Sequence, residues 1–136
     1  MTLARAAPCS MKFKMFNIRL MKTILKLEEL AQMILGIYLF YLLPFSWWWF
    51  IALILAPDIG FLGYAFGNKV GAIVYNIFHH KGIAIAIYLL GSYLSEPVVQ
   101  LVGVILFSHS AMDRFFGYGL KLDKGFKFTH LGEIGK

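Results

Sequence analysis

The stretch LAQMILGIYLFYLLPFSWWWFIALILAP, Leu30 to Pro57, contains no charged residue. A helix that crosses a bilayer needs ~20 mostly apolar residues. This run is too long for one such helix, and Pro44 sits inside it. Proline has no N–H to donate and biases the residue before it away from helix. Two helices joined by a tight turn at 43–46 therefore fit better than one overlong span. Ser46 is placed to cap the second helix, and Trp47, Trp48 and Trp49 suit an aromatic anchor at headgroup depth.

Outward from this run, the first span is expected over 24–43 and the second over 47–63. Pro57-Asp58 interrupts the second, and Gly60, Gly63 and Gly67 follow closely, which reads as a short irregular or re-entrant stretch. A third segment covers 69–94, with a polar middle of Asn76, His79, His80 and Lys81 and a kink expected at Gly82. Ser95–Pro97 reads as an external turn, and Pro97 suits the start of a fourth span over 98–116. No alternating ten-residue pattern suggests a barrel. The expected fold class is all-α: an integral membrane four-helix bundle with both termini cytoplasmic.

Composition agrees. The chain is 60% apolar and 15% charged, with mean hydropathy +0.71, against ~45–50% and ~25% for a soluble domain. Its net charge of +6 is confined to the flanks of the apolar runs. Arg5, Lys12, Lys14, Arg19, Lys22 and Lys26 precede the first acid, Glu28; Arg114, Lys121, Lys124, Lys127 and Lys136 lie at the other end. The turns at 43–46 and 95–97 carry no Lys or Arg, whereas Lys69 falls in the inner connection, as basic retention on the cytoplasmic side requires. The expected location is the bacterial inner membrane, multi-pass, with the lipid bilayer as partner. Nucleic acid is excluded, since no basic face interleaved with polar contacts is present. Cys9 is the only cysteine, so no intrachain disulfide can form. Residues 1–22 read as a basic, poorly ordered leader, and a start at Met11 or later suits it. Residues 117–136 read as a glycine-rich cytoplasmic tail packed on the inner face.

Ionisable groups inside membrane segments are costly and are functional candidates by default. His109 and Asp113 are four apart and share a helix face. If Asp58 and His79 stand opposite that face, the four form a plausible ligand set for a divalent metal of zinc or manganese type. Arg114 and Lys121 are candidates for holding an anionic substrate. Glu28, directed inward, with Asn76, Tyr64, Tyr118 and His130, are candidate supporting residues; the Tyr75 hydroxyl could also donate. The competing reading is structural: His79 and His109 bonding across helices, Asp113 pairing with Lys69 or Lys81, and Arg114 reaching to headgroups. No HExxH, CxxC or nucleophile-elbow motif accompanies the cluster.

The segments LEELAQMILGIYLFY, APDIGFLGY, VGAIVYNIFHH, SHSAMDRFFGYGLK and GFKFTHLGEIGK together resemble the DUF4260 family of small bacterial membrane proteins, over about Leu27–Lys136. The resemblance implies a four-helix membrane protein and marks Glu28, Asp58, Tyr64, Tyr75, Asn76, His79, His109, Asp113, Arg114, Tyr118, Lys121 and His130 as motif positions. It implies no particular activity. A looser likeness to membrane-embedded metal-dependent hydrolases rests on Pro57-Asp58 and on the His109–Asp113 spacing, and is analogy only. The leading expectation is a multi-pass membrane protein with an Asp/His polar cluster near the cytoplasmic interface; if it is an enzyme, the expected reaction is metal-assisted hydrolysis of a lipid-linked or phosphorylated substrate. The alternatives are a small transporter or channel subunit, which would need a homo-oligomer, and a structural accessory protein.

Overall fold

Pro44 does end a helix. A computed structural model describes residues 9–135, and in it α1 runs from Cys9 to Tyr41. The part of the expected leader that falls on residues 1–8 lies outside the described residues. Residues 9–22 are helical and continuous with α1, where a poorly ordered segment was expected. Their composition explains this: Met, Leu, Lys and Arg all favour helix, and no Gly or Pro breaks the run. α2 follows at Trp47–Leu53, with Ser46 at its N-cap in an extended conformation but without a side-chain cap bond.

Ala56–Phe66 forms a 3₁₀-helix rather than an irregular stretch. Runs of this geometry rarely exceed three or four residues, so this length needs a cause. Side chains three apart eclipse one another in a 3₁₀-helix, and the sequence repeats with that period. Pro57, Gly60 and Gly63 form one buried column. Asp58, Phe61 and Tyr64 form a second, half-buried column, while Ile59 and Leu62 stand exposed in the third. The small column lets this segment lie directly on α3: a Cβ added at Gly63 would come within 2.8 Å of the Val74 Cβ.

The third expected segment is two helices, α3 (Asn68–Phe78) and α4 (Lys81–Tyr93), bent by 44°. The break lies at His79–His80, not at Gly82. His80 turns its ring to accept from the Ile83 N–H at 3.3 Å and so caps α4. α5 spans Pro97–Phe116 and is the central element, packed on both α1 and α4. Gly103 through Ala111 is buried without interruption, as a helix surrounded by partners must be. At Gly103 the α4 backbone is too close for any side chain, with Tyr88 N only 2.5 Å from where a Cβ would stand. Gly117 ends α5 in the left-handed region (φ 95°), and Tyr118 N–H returns to Asp113 O at 2.8 Å.

The tail adds a minimal hairpin of β1 (Phe128–Thr129) and β2 (Gly132–Glu133), antiparallel in register Phe128↔Glu133. The Asn76 side chain docks the tail by a double bond to one backbone unit: it accepts from Lys121 N–H at 2.7 Å and donates to Lys121 O at 2.8 Å. The fold is thus all-α apart from this hairpin. Among the described residues, one continuous helical stretch, Trp47–Phe66, is long and apolar enough to cross a membrane, with mean hydropathy 1.7; the bent α3–α4 pair qualifies as a second if counted as one span.

Candidate metal centre

The chain breaks of the fold create the site. Pro57 cannot donate an N–H, and Asp58 N–H bonds back to Leu55 O at 3.2 Å in the tighter 3₁₀ pattern. Ile54 O, which Asp58 N–H would have met in an α-helix, is left free to accept. It accepts from His109 Nδ1 at 2.6 Å. At the other break, His79 Nδ1 donates to Tyr75 O at 2.9 Å, one turn back on its own helix.

A carbonyl oxygen can only accept, so both Nδ1 atoms carry a proton, and in the neutral imidazoles it is Nε2 that offers the lone pair. Those two Nε2 atoms face each other at 3.0 Å. Two carboxylates close around them. Asp58 Oδ1 lies 3.3 Å from His109 Nε2 and 3.6 Å from His79 Nε2. Asp113 stands 3.3 Å from His79 Nε2 through Oδ2 and 3.7 Å from His109 Nε2 through Oδ1. One donor atom from each of the four lies within 4.8 Å of every other. Four electron-rich atoms this close repel unless a proton or cation sits among them. In a tetrahedral zinc site with bonds of ~2.0–2.1 Å the ligand atoms stand ~3.3–3.4 Å apart, and the contacts to the two Nε2 atoms here, from 3.0 to 3.7 Å, bracket that spacing. Both imidazoles also make the Nδ1–H···O=C bond by which metal-ligating histidines are usually oriented.

Three of the four converging side chains are fixed. The His109 side chain is fully buried and that of His79 is 4% exposed. His79 lies flat against the Tyr75 ring, centroids 3.7 Å apart. Tyr75 in turn donates its hydroxyl to Asp113 Oδ2 at 2.8 Å. Asp58 is different: its side chain is 36% exposed, and among the described residues its carboxylate has no further hydrogen bond. The route to solvent or substrate therefore passes Asp58.

The expected supporting residues divide. Asn76 bonds the Lys121 backbone of the tail rather than the cluster. Arg114 Nη2 makes a long bond of 3.4 Å to His79 O. Lys121 is buried, its ammonium 3.9 Å from the Phe126 ring centroid and 4.9 Å from that of Tyr75. Burial pushes its pKa down, while the Asp113 and Asp58 carboxylates pull it up. Arg114 and Lys121 thus occupy separate surroundings and do not form one anion clamp. Glu28 is exposed; its neighbour Glu29 turns inward to pair with Lys81, which also donates to Gln32 Oε1 at 2.7 Å. Lys81 is therefore engaged with α1 and does not pair with Asp113. Tyr64 packs edge-on against Phe126, and its buried hydroxyl has no partner among the described residues. His130 accepts from Leu120 N–H at 2.8 Å on the tail, and Tyr118 is 44% exposed. Neither reaches the cluster.

The residues missed in the sequence are Tyr75, as the support of two ligands at once, and the Ile54 carbonyl. Pro57 at three residues beyond Ile54 was the available signal for the second.

All four converging side chains fall within residues 22–134, which match the family model described as a domain of unknown function (DUF4260). The chain belongs to this family. The match begins inside α1, at a point where the DUF4260 segment still includes Lys22 and Lys26, and ends at Ile134. No curated protein and no solved structure matches the chain.

Proposed function

We propose that the chain is a four-span protein of the bacterial inner membrane, with both termini cytoplasmic. In this reading Asp58, His79, His109 and Asp113 hold a divalent metal. The observation that carries the metal reading is the pair of facing Nε2 atoms at 3.0 Å, enclosed by two carboxylates. The membrane reading is supported by an inverted surface. Trp48 is 76% and Phe66 81% exposed, while His79, Ser108, His109, Ser110 and Lys121 are buried. Contiguous exposed apolar surface on this scale needs lipid or a partner to cover it. The proposed spans are α1 from about residue 24, the Trp47–Phe66 stretch, α3 with α4, and α5. Residues 117–136 form the cytoplasmic tail.

The chemistry that fits is hydrolysis of a phosphorylated or lipid-linked substrate. A bound divalent ion supplies a low-pKa water at neutral pH. Such a water needs an open position on the ion; Asp58, exposed and unsupported by other hydrogen bonds, is the ligand that would yield that position and accept the proton of the water. The water oxygen would bond to phosphorus as the ester P–O bond broke, with Asp58 returning the proton to the leaving oxygen. His79, His109 and Asp113 stay fixed throughout by Tyr75 and Ile54. The ligand types alone are consistent with zinc or manganese.

Metal analysis of purified protein tests this. The wild-type chain should hold close to one equivalent, and His109→Ala close to none. Asp58→Asn should keep a substantial fraction of the metal because three ligands remain, yet lose turnover. Equal and negligible metal in wild type and His109→Ala would overturn the proposal; the Nε2–Nε2 contact would then be a shared proton, as the transporter reading requires.

A further inference from the structure

A second site lies outside the metal cluster. Between α1, the end of α5 and the tail runs a groove of about 660 Å³, within the usual range of ligand pockets. Its charge comes from Lys22 and Lys26 on α1 and Arg114 on α5. Lys22 and Lys26 are one helical turn apart and share a face. Among the described residues none of these three cations is ion-paired with a carboxylate, and Lys81 pairs with Glu29. Glu29 and Glu133 also line the groove, and Lys81 offsets the first of them. Its walls are apolar, from Leu25, Phe116 and Ile134.

We propose that this groove binds the phosphate headgroup of an anionic phospholipid. Charge complementarity selects the phosphate. The apolar walls select a lipid over a free ion, because inorganic phosphate gains nothing from them. α1 itself points the same way. Arg19, Lys22 and Lys26 are spaced to form one basic stripe, and Phe13, Leu20 and Ile24 stand exposed on the opposite side. Cations at the foot of a span stand at the lipid–water boundary, where anionic headgroups attract them. Arg114 connects the groove to the metal centre, since it reaches His79 O. A headgroup held there is one side chain away from a metal ligand. The inference rests on the membrane reading above but not on the metal.

The test uses the full chain in lipid nanodiscs, with spin-labelled phosphatidylglycerol and phosphatidylcholine as probes. Wild-type protein should immobilise the phosphatidylglycerol preferentially. Lys22→Gln with Lys26→Gln should weaken that preference about tenfold or more, given roughly 1 kcal/mol per lysine near the surface. Arg114→Gln should weaken it too. The exposed tail pair Lys124→Gln with Lys127→Gln should leave it intact. Equal loss in the tail variant would reduce the effect to net charge and overturn the site. So would displacement of the labelled lipid by millimolar inorganic phosphate. Metal content measured on the same samples separates the two proposals: lipid preference without metal sinks only the metal centre, and metal without lipid preference sinks only the groove.

Discussion

Tyr75 is the residue on which the candidate site depends most. Its carbonyl holds His79, its ring supports the same imidazole, and its hydroxyl holds Asp113. Tyr75→Phe keeps the ring and the carbonyl and removes only the hydroxyl. It should therefore fold as wild type yet bind metal about 10–100-fold more weakly, the usual cost of losing a ligand's supporting bond. Titration with zinc in a chelator buffer reads this directly; unchanged affinity would remove Tyr75 from the site. His109 and Asp113 were legible in the sequence because a four-residue spacing fixes a shared helix face. Tyr75 was legible as a packing residue whose hydroxyl could donate, but not as the support of both His79 and Asp113. The bonds that matter run to its backbone oxygen and across to another helix, and neither leaves a trace in residue type. Glu28 and Glu29 were ambiguous for a related reason: adjacent helix positions differ by about 100°, and only the place of Lys81 decides which one turns inward.

At the level of elements, the two helix breaks make the site. Pro57→Ala restores an N–H and removes the worst helix former, a change worth up to about 3 kcal/mol in favour of α-helix. It should nevertheless damage the centre. A continuous α-helix would return Ile54 O to Asp58 N–H and take it from His109. The expected result is a chain with equal or higher helix content by circular dichroism and weaker metal binding. Weaker helix and unchanged metal would contradict it. The tail makes a second case. Asn76→Ala loses both bonds to Lys121 at a cost of about 1–3 kcal/mol. Amide exchange should rise across 118–131 while α4 and α5 keep their protection; uniform exchange would show that the tail is held elsewhere. Helix existence was plain from the sequence, and so were the stops at Pro44 and before Pro97. The 3₁₀ segment was not, although its signal was present: Pro57, Gly60 and Gly63 recur every third residue, a period that neither an α-helix nor a strand uses to line one face. The α3–α4 break was placed at glycine by propensity, but His79 and His80 make it by supplying side-chain bonds to the helix ends.

For the whole molecule, the open question is how many elements cross the bilayer, and the three candidate arrangements differ at three points of the chain. If α1, the Trp47–Phe66 stretch, α3–α4 and α5 all cross, Ser46 and Glu96 face the outside and the tail faces the cytoplasm. If only the Trp47–Phe66 stretch and the bent α3–α4 pair cross, all three points share one side. If the Trp47–Phe66 stretch alone crosses, Ser46 is separated from both Glu96 and the tail. Because Cys9 is the only cysteine, a Cys9→Ser background can carry one reporter at a time. Ser46→Cys, Glu96→Cys and Lys124→Cys all lie at exposed positions. A membrane-impermeant maleimide added to intact cells should label the first two and reach position 124 only after permeabilisation. The charge pattern leads to the same expectation, since basic residues crowd α1's start and the tail while both turns lack them. The α5 helix is where this expectation is most exposed to refutation. Its last two turns bury His109 and Asp113 and would not cross lipid alone; they can do so only because α1, α4 and the 3₁₀ segment enclose them. Labelling of positions 96 and 124 from the same side would mean that α5 does not cross, and the centre would then lie at the membrane surface rather than within the bundle.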